Sequence, residues 1–224
     1  MNKWSSILGS WDKFLTPILE DEVISKNLET IRGYYLSSSF ITYPEPKNIF
    51  KAFRECPYSK LSVVIVLQDP YHDGSATGIP MGNKPDKKLS PSLRIVKDAI
   101  SRTVYKGQEF YFDPTLIPWC NQGVFLFNTA LTVEKGKPLS HKDIWAPFTE
   151  KVFKKLSEIN SGLIYCLWGK SAGEYTKYIN PSSNYILSYT HPVYSAYRGI
   201  SWDCDHFNRI NDILKQNNNL HINW

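Results

Sequence analysis

The sequence predicts an α/β fold with a mainly parallel central sheet, and three observations carry that prediction. Four short apolar runs, at residues 61–67 (LSVVIVL), 123–127 (GVFLF), 163–168 (LIYCLW) and 185–189 (YILSY), are rich in β-branched or aromatic residues. They are continuous rather than alternating, the pattern of strands buried on both faces. Helix-like stretches separate them, and strands alternating with helices are the mark of parallel strands joined by helical crossovers. Each run also ends in a polar or turn-forming cluster, which places those clusters together at one edge of the sheet.

In chain order, the first fifty residues read as helices. Residues 11–26 are periodic despite Pro17, and a further helix over 49–53 follows a proline-rich turn. The first strand, 61–67, leads to Ser90-Pro91-Ser92, a capping serine and a proline at a favoured helix start, with Leu93, Val96 and Ile100 continuing one face. After strand 123–127, Phe148, Val152, Leu156 and Ile159 form an apolar helical stripe. Strand 163–168 is followed by a helix from Gly169-Lys170-Ser171, and strand 185–189 by a last helix carrying Phe207, Ile210 and Leu214. Asn217-Asn218-Asn219 reads as a turn. No internal repeat, low-complexity tract or charge block interrupts the chain, so residues 1–224 are expected to form a single domain, with 1–55 as its N-terminal helical part.

Composition narrows the function. The chain has 224 residues, 42% hydrophobic and 21% charged, enough to bury a core. Mean hydropathy is −0.34, and no apolar run approaches the roughly 20 residues of a membrane-spanning helix. The first residues lead into no apolar export signal. A membrane or exported protein is therefore not expected; the cytoplasm is, with a nucleus left open for a eukaryotic or viral source. A net charge of +5 permits a polyanionic partner without demanding one. The four cysteines form no CxxC pair, and Cys166, inside an apolar run, reads as a buried reduced thiol. The five histidines lack zinc-binding spacings, so no zinc site is expected. Aromatic residues reach 14%, mostly as core, although aromatics also stack on exposed bases.

The strand-end clusters are Gln68-Asp69-Pro70-Tyr71-His72, Asn128-Thr129, Gly169-Lys170-Ser171 and Thr190-His191-Pro192. Ligands of open parallel sheets bind outside the carboxyl ends of the strands, so these four loops together read as a site. Asp69 could hold a water and stabilise developing positive charge, or simply cap the next turn. His191 could donate to a leaving oxygen, or be structural. Asn128 offers the donor and acceptor that read a base edge, or satisfies a strand end. Gly169-Lys170-Ser171 lacks the glycine spacing of a nucleotide-binding P-loop.

These residues carry a resemblance. Gln68-Asp69-Pro70-Tyr71-His72 followed by Gly78 resembles the water-activating motif of family 1 uracil-DNA glycosylases, and residues 126–133 (LFNTALTV) resemble their uracil-reading segment. Ser140-His141-Lys142-Asp143 also matches. Leu167-Trp168-Gly169 is similar to their glycine–serine loop region. His191-Pro192 with Ser195, Tyr197, Arg198 and Gly199 is similar to their leucine loop, and Ile222-Asn223-Trp224 to their closing residues. The likeness begins near Ser10-Trp11 and keeps the family's order to the end.

The resemblance implies a three-layer α/β/α sandwich with a four-stranded sheet, and metal-independent hydrolysis of the N-glycosidic bond of deoxyuridine flipped out of DNA. It implies that Asp69 orients water and His191 donates to the uracil O2, assisted by the backbone after Gln68. Asn128 would read the uracil edge, and Tyr71 would occupy the space of a thymine methyl. Met81 stands where the family stacks a phenylalanine on the base. Pro91, Ser92, Gly169, Lys170, Ser171 and Ser195 would hold flanking phosphates, with Arg198 also on the DNA. Tyr194 falls where an intercalating leucine belongs, either as the wedge or packed against Tyr197. Both the loop after His72 and the one after His191 are one residue shorter than usual. Single- and double-stranded uracil-containing DNA are the implied partners of a monomer, and a uracil-DNA glycosylase inhibitor protein is a further one the resemblance allows. Three rivals remain: a non-catalytic DNA-binding or processivity factor on this fold, a glycosylase of shifted base range, and an enzyme of small nucleotides.

Overall fold

The computed structural model describes residues 4–218 and 220–224. The described residues contain, in chain order, α1 (Ser5–Leu8), α2 (Asp12–Leu19), α3 (Glu22–Leu36), β1 (Thr42–Tyr43), α4 (Lys51–Glu55), β2 (Val63–Leu67), α5 (Pro91–Thr103), α6 (Ile117–Asn121), β3 (Val124–Asn128), β4 (Val133–Glu134), α7 (Lys142–Ile159), β5 (Ile164–Trp168), α8 (Lys170–Gly173), β6 (Tyr185–Tyr189), α9 (Pro192–Arg198) and α10 (His206–Asn218). Strands β3, β2, β5 and β6 lie side by side in that order, all parallel. The chain builds β3 on one side of β2 and then crosses to build β5 on the other. The crevice at the carboxyl ends of β2 and β5 is therefore the point where the strand order reverses.

Alternation along the strands gives the sheet two apolar faces. Phe125, Phe127 and Tyr165 point to one face, against Trp11, Phe53 and Phe153 of the N-terminal part and α7. Trp168 points to the other, where Trp202 and Phe207 meet it and Trp119 and Trp224 continue the packing. Helices thus cover both faces of one continuous core. Every residue of β2, β3 and β5 is buried. β6 differs from the expectation of burial on both faces: it pairs only with β5, and Tyr185, Ser188 and Tyr189 are exposed. An edge strand has a neighbour on one side only, and its aromatic residues here shield that edge.

Other departures are local. The periodic stretch 11–26 splits into α2, which accommodates Pro17 inside it, and α3, capped by Asp21, whose Oδ1 accepts the Ile24 N–H at 3.3 Å. Ser90 caps α5 as expected, its Oγ accepting the Leu93 N–H at 3.3 Å. Ile159, at the end of the α7 stripe, is exposed. Asn217 and Asn218 extend α10 rather than forming a turn, and Asn219 lies outside the described residues. The short antiparallel pair β1–β4 carries no sequence signal of its own. All four cysteines are free and buried, and burial pushes their thiol pKa values up. Among the described residues no helix is long and apolar enough to cross a membrane.

Candidate active site

The sheet register sets the site. Leu67 pairs with Asn128, and Trp168 with Tyr189, so the loops that follow all four strands open on the same edge. There they enclose a cleft of about 310 Å³ whose walls include Gln68, Asp69, Tyr71, Met81, Ser92, Asn128 and His191. Beneath it lies a cavity of about 20 Å³ that shares Tyr71, Met81 and Asn128. A second hollow of about 110 Å³ sits over the β2–β5 crevice, lined by Gln68, Gly169, Lys170, Ser171 and His191. Gln68 and His191 line both hollows, and the second also carries Lys170 and Ser171.

Asp69 does not cap its own turn. Its Oδ1 accepts from Gln68 Nε2 at 3.2 Å, and its Oδ2 accepts the backbone N–H of Leu139, seventy residues away, at 2.7 Å. Both oxygens are thereby fixed, and each keeps a lone pair for a water. The next residues are braced as well: Thr129 Oγ1 donates to the Gln68 carbonyl at 2.9 Å, and the Gly136 N–H to the His72 carbonyl at 2.9 Å.

Asn128 is 5% exposed, and no hydrogen bond joins its side-chain amide to another described residue; the side chain borders both the cleft and the cavity below. The amide is not sealed in the core, so its donor and acceptor stay free for a ligand that enters the cleft. The strand-end alternative for Asn128 fails on that point. Tyr71 donates from Oη to the Met81 carbonyl at 3.1 Å and shares a 2.6 Å bond with Ser90 Oγ, so its ring is locked between the cleft floor and the cap of α5. Burial, its main cause, pushes the Tyr71 pKa up and keeps the hydroxyl protonated. Met81 is buried in the left-handed region, with φ 63°.

His191 is both structural and presented. It is the N-cap of α9, where its Nδ1 accepts the Val193 N–H at 3.1 Å. Nδ1 therefore carries no proton in the neutral ring, and Nε2 is the donor. Burial lowers the His191 pKa, which favours that neutral form. Gly169 makes room for it: a Cβ there would lie 2.9 Å from His191 Cβ, and its φ of +93° suits glycine. Behind His191, Trp202 Nε1 donates to the Thr190 carbonyl at 2.8 Å, and Trp168 Nε1 donates to His206 Nδ1 at 3.0 Å. The His206 ring also meets the Tyr189 ring edge-on at 5.9 Å, so it touches the ends of both β5 and β6. Burial lowers its pKa to about 4.

The remaining residues form a rim. Pro91 opens α5, exposed, with Ser92 beside it in the cleft wall. Lys170 and Ser171 are exposed at the start of α8, while Ser195 faces inward on α9 and is buried. The loop after His191, expected as a short wedge loop, is the helix α9. On it Tyr194 is 46% exposed and its ring lies under the Arg198 guanidinium, 4.6 Å from the ring centroid. No ring contact joins it to Tyr197 among the described residues. Two aromatic residues that could cover the base instead of Met81 do not face the cleft: Tyr111 lines a separate groove with Lys97 and Phe110, and Phe127 is buried against Phe125.

Sequence reading missed three participants: the Leu139 N–H, the Val193 N–H and His206. Backbone donors leave no mark in residue identity, and a lone histidine before Phe207 resembles any helix start.

A family model described as the Uracil DNA glycosylase superfamily matches residues 53–215. The uracil-DNA glycosylase of Aliarcobacter butzleri (strain RM4018) is 39% identical over 218 residues, covering 96% of this chain and 100% of that protein. That of Borreliella burgdorferi (strain ZS7) is 36% identical over 223 residues, covering 96% of each. Among solved structures, mimivirus uracil-DNA glycosylase superposes with a TM-score of 0.88 at 23% identity, covering 100% of this chain and 89% of that one. A variant of the mimivirus protein in complex with UGI gives 0.88 at 22% identity, covering 100% and 91%. At such identity the superpositions speak to the fold, which is the same α/β arrangement.

Proposed function

Since this chain belongs to the uracil DNA glycosylase superfamily, we propose that its cleft takes up a deoxyuridine rotated out of DNA, and that Asp69, Asn128 and His191 together release the base. The family's role is excision of uracil in base excision repair, by metal-independent hydrolysis of the N-glycosidic bond. The single observation that carries the residue assignment is the Asn128 amide: held at the end of a buried strand, unbonded to the other described residues and facing a cleft that Asp69 and His191 also line.

In this reading the uracil edge meets Asn128, which accepts from N3–H and donates to O4. Tyr71, locked at its hydroxyl, closes the space a 5-methyl group needs, and Met81 covers the ring face. As the bond between N1 and the sugar C1′ lengthens, positive charge grows on the sugar and negative charge on the uracil O2. The fixed Asp69 carboxylate stabilises the first and holds the water that attacks C1′. The neutral His191 meets the second with its Nε2–H, a donor aimed where charge develops and already in place before reaction. The hollow at Gly169, Lys170 and Ser171, with Pro91 and Ser92 opposite, receives the flanking phosphates; Lys170 adds a full charge there. Tyr194 fills the gap left by the flipped base, with Arg198 behind it. The chain acts as a monomer, and a UGI-like inhibitor protein is a further partner, a reading supported by the UGI complex of the mimivirus variant.

The test is release of free uracil from single- and double-stranded uracil-containing DNA, with dUMP as the small-nucleotide control. Release from DNA but not from dUMP is expected. Tight DNA binding without release would favour a DNA-tethering factor on the same fold.

A further inference from the structure

The segment between β4 and α7 sends two backbone donors to the loop that carries Asp69. One, the Leu139 N–H, bonds Asp69 Oδ2 at 2.7 Å; the other, the Gly136 N–H, bonds the His72 carbonyl at 2.9 Å. Leu139 makes its bond from the left-handed region, with φ 65°, a conformation that leucine rarely adopts. Its side chain is 44% exposed, so burial of that side chain does not account for the conformation.

The surrounding segment does hold it. Ser140 Oγ accepts the Glu134 N–H at 2.8 Å, Lys137 pairs with Glu134 at 2.8 Å, and the Leu139 carbonyl accepts the Lys142 N–H at 3.0 Å. Pro138, with its restricted φ, immediately precedes. A non-glycine residue kept in a sparsely populated conformation by its neighbours, and aimed at a reacting group, points to a use for that conformation. Without the Leu139 bond, the Asp69 carboxylate would keep, among the described residues, only the hydrogen bond from the flexible side chain of Gln68.

We infer that Leu139 is a positioning residue for hydrolysis: its backbone N–H, presented by the left-handed turn, fixes the Asp69 carboxylate in the orientation that aims the water at the sugar. This rests on the role proposed for Asp69. The requirement falls on the backbone, not on the leucine side chain.

Steady-state kinetics on uracil-containing single-stranded DNA separate these. Leu139→Gly and Leu139→Asn keep the N–H and tolerate positive φ, whereas the β-branched Leu139→Val resists it. The expected result is a kcat for Leu139→Val about tenfold or more below that of the glycine and asparagine variants, with one KM for all three. Equal kcat values in the three variants, or a loss in Leu139→Gly as deep as in Leu139→Val, would overturn the inference. Should Leu139→Val not fold, Ser140→Ala loosens the same turn; kcat should fall at constant KM and return in Ser140→Thr, and an unaltered kcat in Ser140→Ala would be equally fatal. A parent protein that releases no uracil refutes the proposed reaction itself, an outcome distinct from an active parent whose Leu139 variants do not separate.

Discussion

Asp69 and Asn128 stand at the ends of strands in which every residue is buried, whereas Tyr194 and Tyr197 stand on α9 with 46% and 85% of their surface exposed. The floor of the cleft inherits its geometry from the register of β2 against β3 and from bonds that span the chain, such as Leu139 to Asp69. The rim is held by local contacts, the His191 cap on Val193 and the stacking of Arg198 on Tyr194. A floor built this way can keep reacting groups within a fraction of an ångström, while a rim built this way can vary in length and residue type without disturbing them. The departures from the family pattern at residues 73–77 and 193–194 lie in the loop after β2 and on α9, above the floor, and the three polar groups of the floor itself match it.

Changes to the floor should therefore cost rate on every substrate. Asp69→Asn keeps the shape and removes the charge; uracil release should fall by roughly 10³-fold on single and double strands alike, with DNA binding retained in a gel-shift assay. His191→Ala removes the donor at the leaving oxygen, and a loss of about 10²–10³-fold is expected. Parent-like rates in both variants would remove the chemical meaning of the floor.

Acid should loosen the floor before it touches the rim. Burial lowers the pKa values of His141, His191 and His206, the last to about 4 from 6.5. Between those two values the unfolded chain binds more protons than the folded one, so stability is fully present above about pH 6.5 and is lost as pH falls toward 4. For His206 alone the difference is roughly 3 kcal/mol. Thermal unfolding followed from pH 7.5 to 4.5 should show the midpoint dropping below pH 6.5. The drop should be smaller in His206→Gln; a midpoint that stays level would contradict the neutral state of these rings.

Rim changes should depend on the substrate. Tyr194→Ala is expected to slow release from duplex DNA by about tenfold and to leave single strands nearly unaffected, because only the duplex has a gap to fill. Equal losses on both would move the wedge to another residue, with Val193 next in position. The smallest effect is expected at Met81→Phe. The cavity under the cleft, about 20 Å³, cannot take a ring, so the phenyl group must lie along the cleft wall. A two- to threefold lower KM is expected, in line with the modest gain of a rigid ring over a flexible thioether. Unchanged kinetics would mean that the base face is covered from elsewhere.

The same division explains what could be read from the sequence. Continuous apolar runs gave away β2, β3 and β5, and with them the placement of Asp69, Asn128 and Gly169 at one edge. Ser90-Pro91 marked the start of α5 because capping chemistry is local. The edge position of β6 was hidden, since YILSY is as apolar as a central strand and only pairing tells them apart. The helix α9 was hidden too, because seven residues after a proline carry little periodicity. Leu139 was out of reach for a different reason: what matters there is a dihedral angle and an N–H, and neither has a letter in the sequence.

Gly169 carries a consequence for heredity. Every missense change at this codon installs a residue that bears a Cβ, and so sets a carbon against His191, where a Cβ would stand 2.9 Å away. On the role proposed for His191, a lineage that lost glycine here would keep a recognisable gene while its mutation rate at deaminated cytosines rose, so the damage would be written in the genome rather than in the protein.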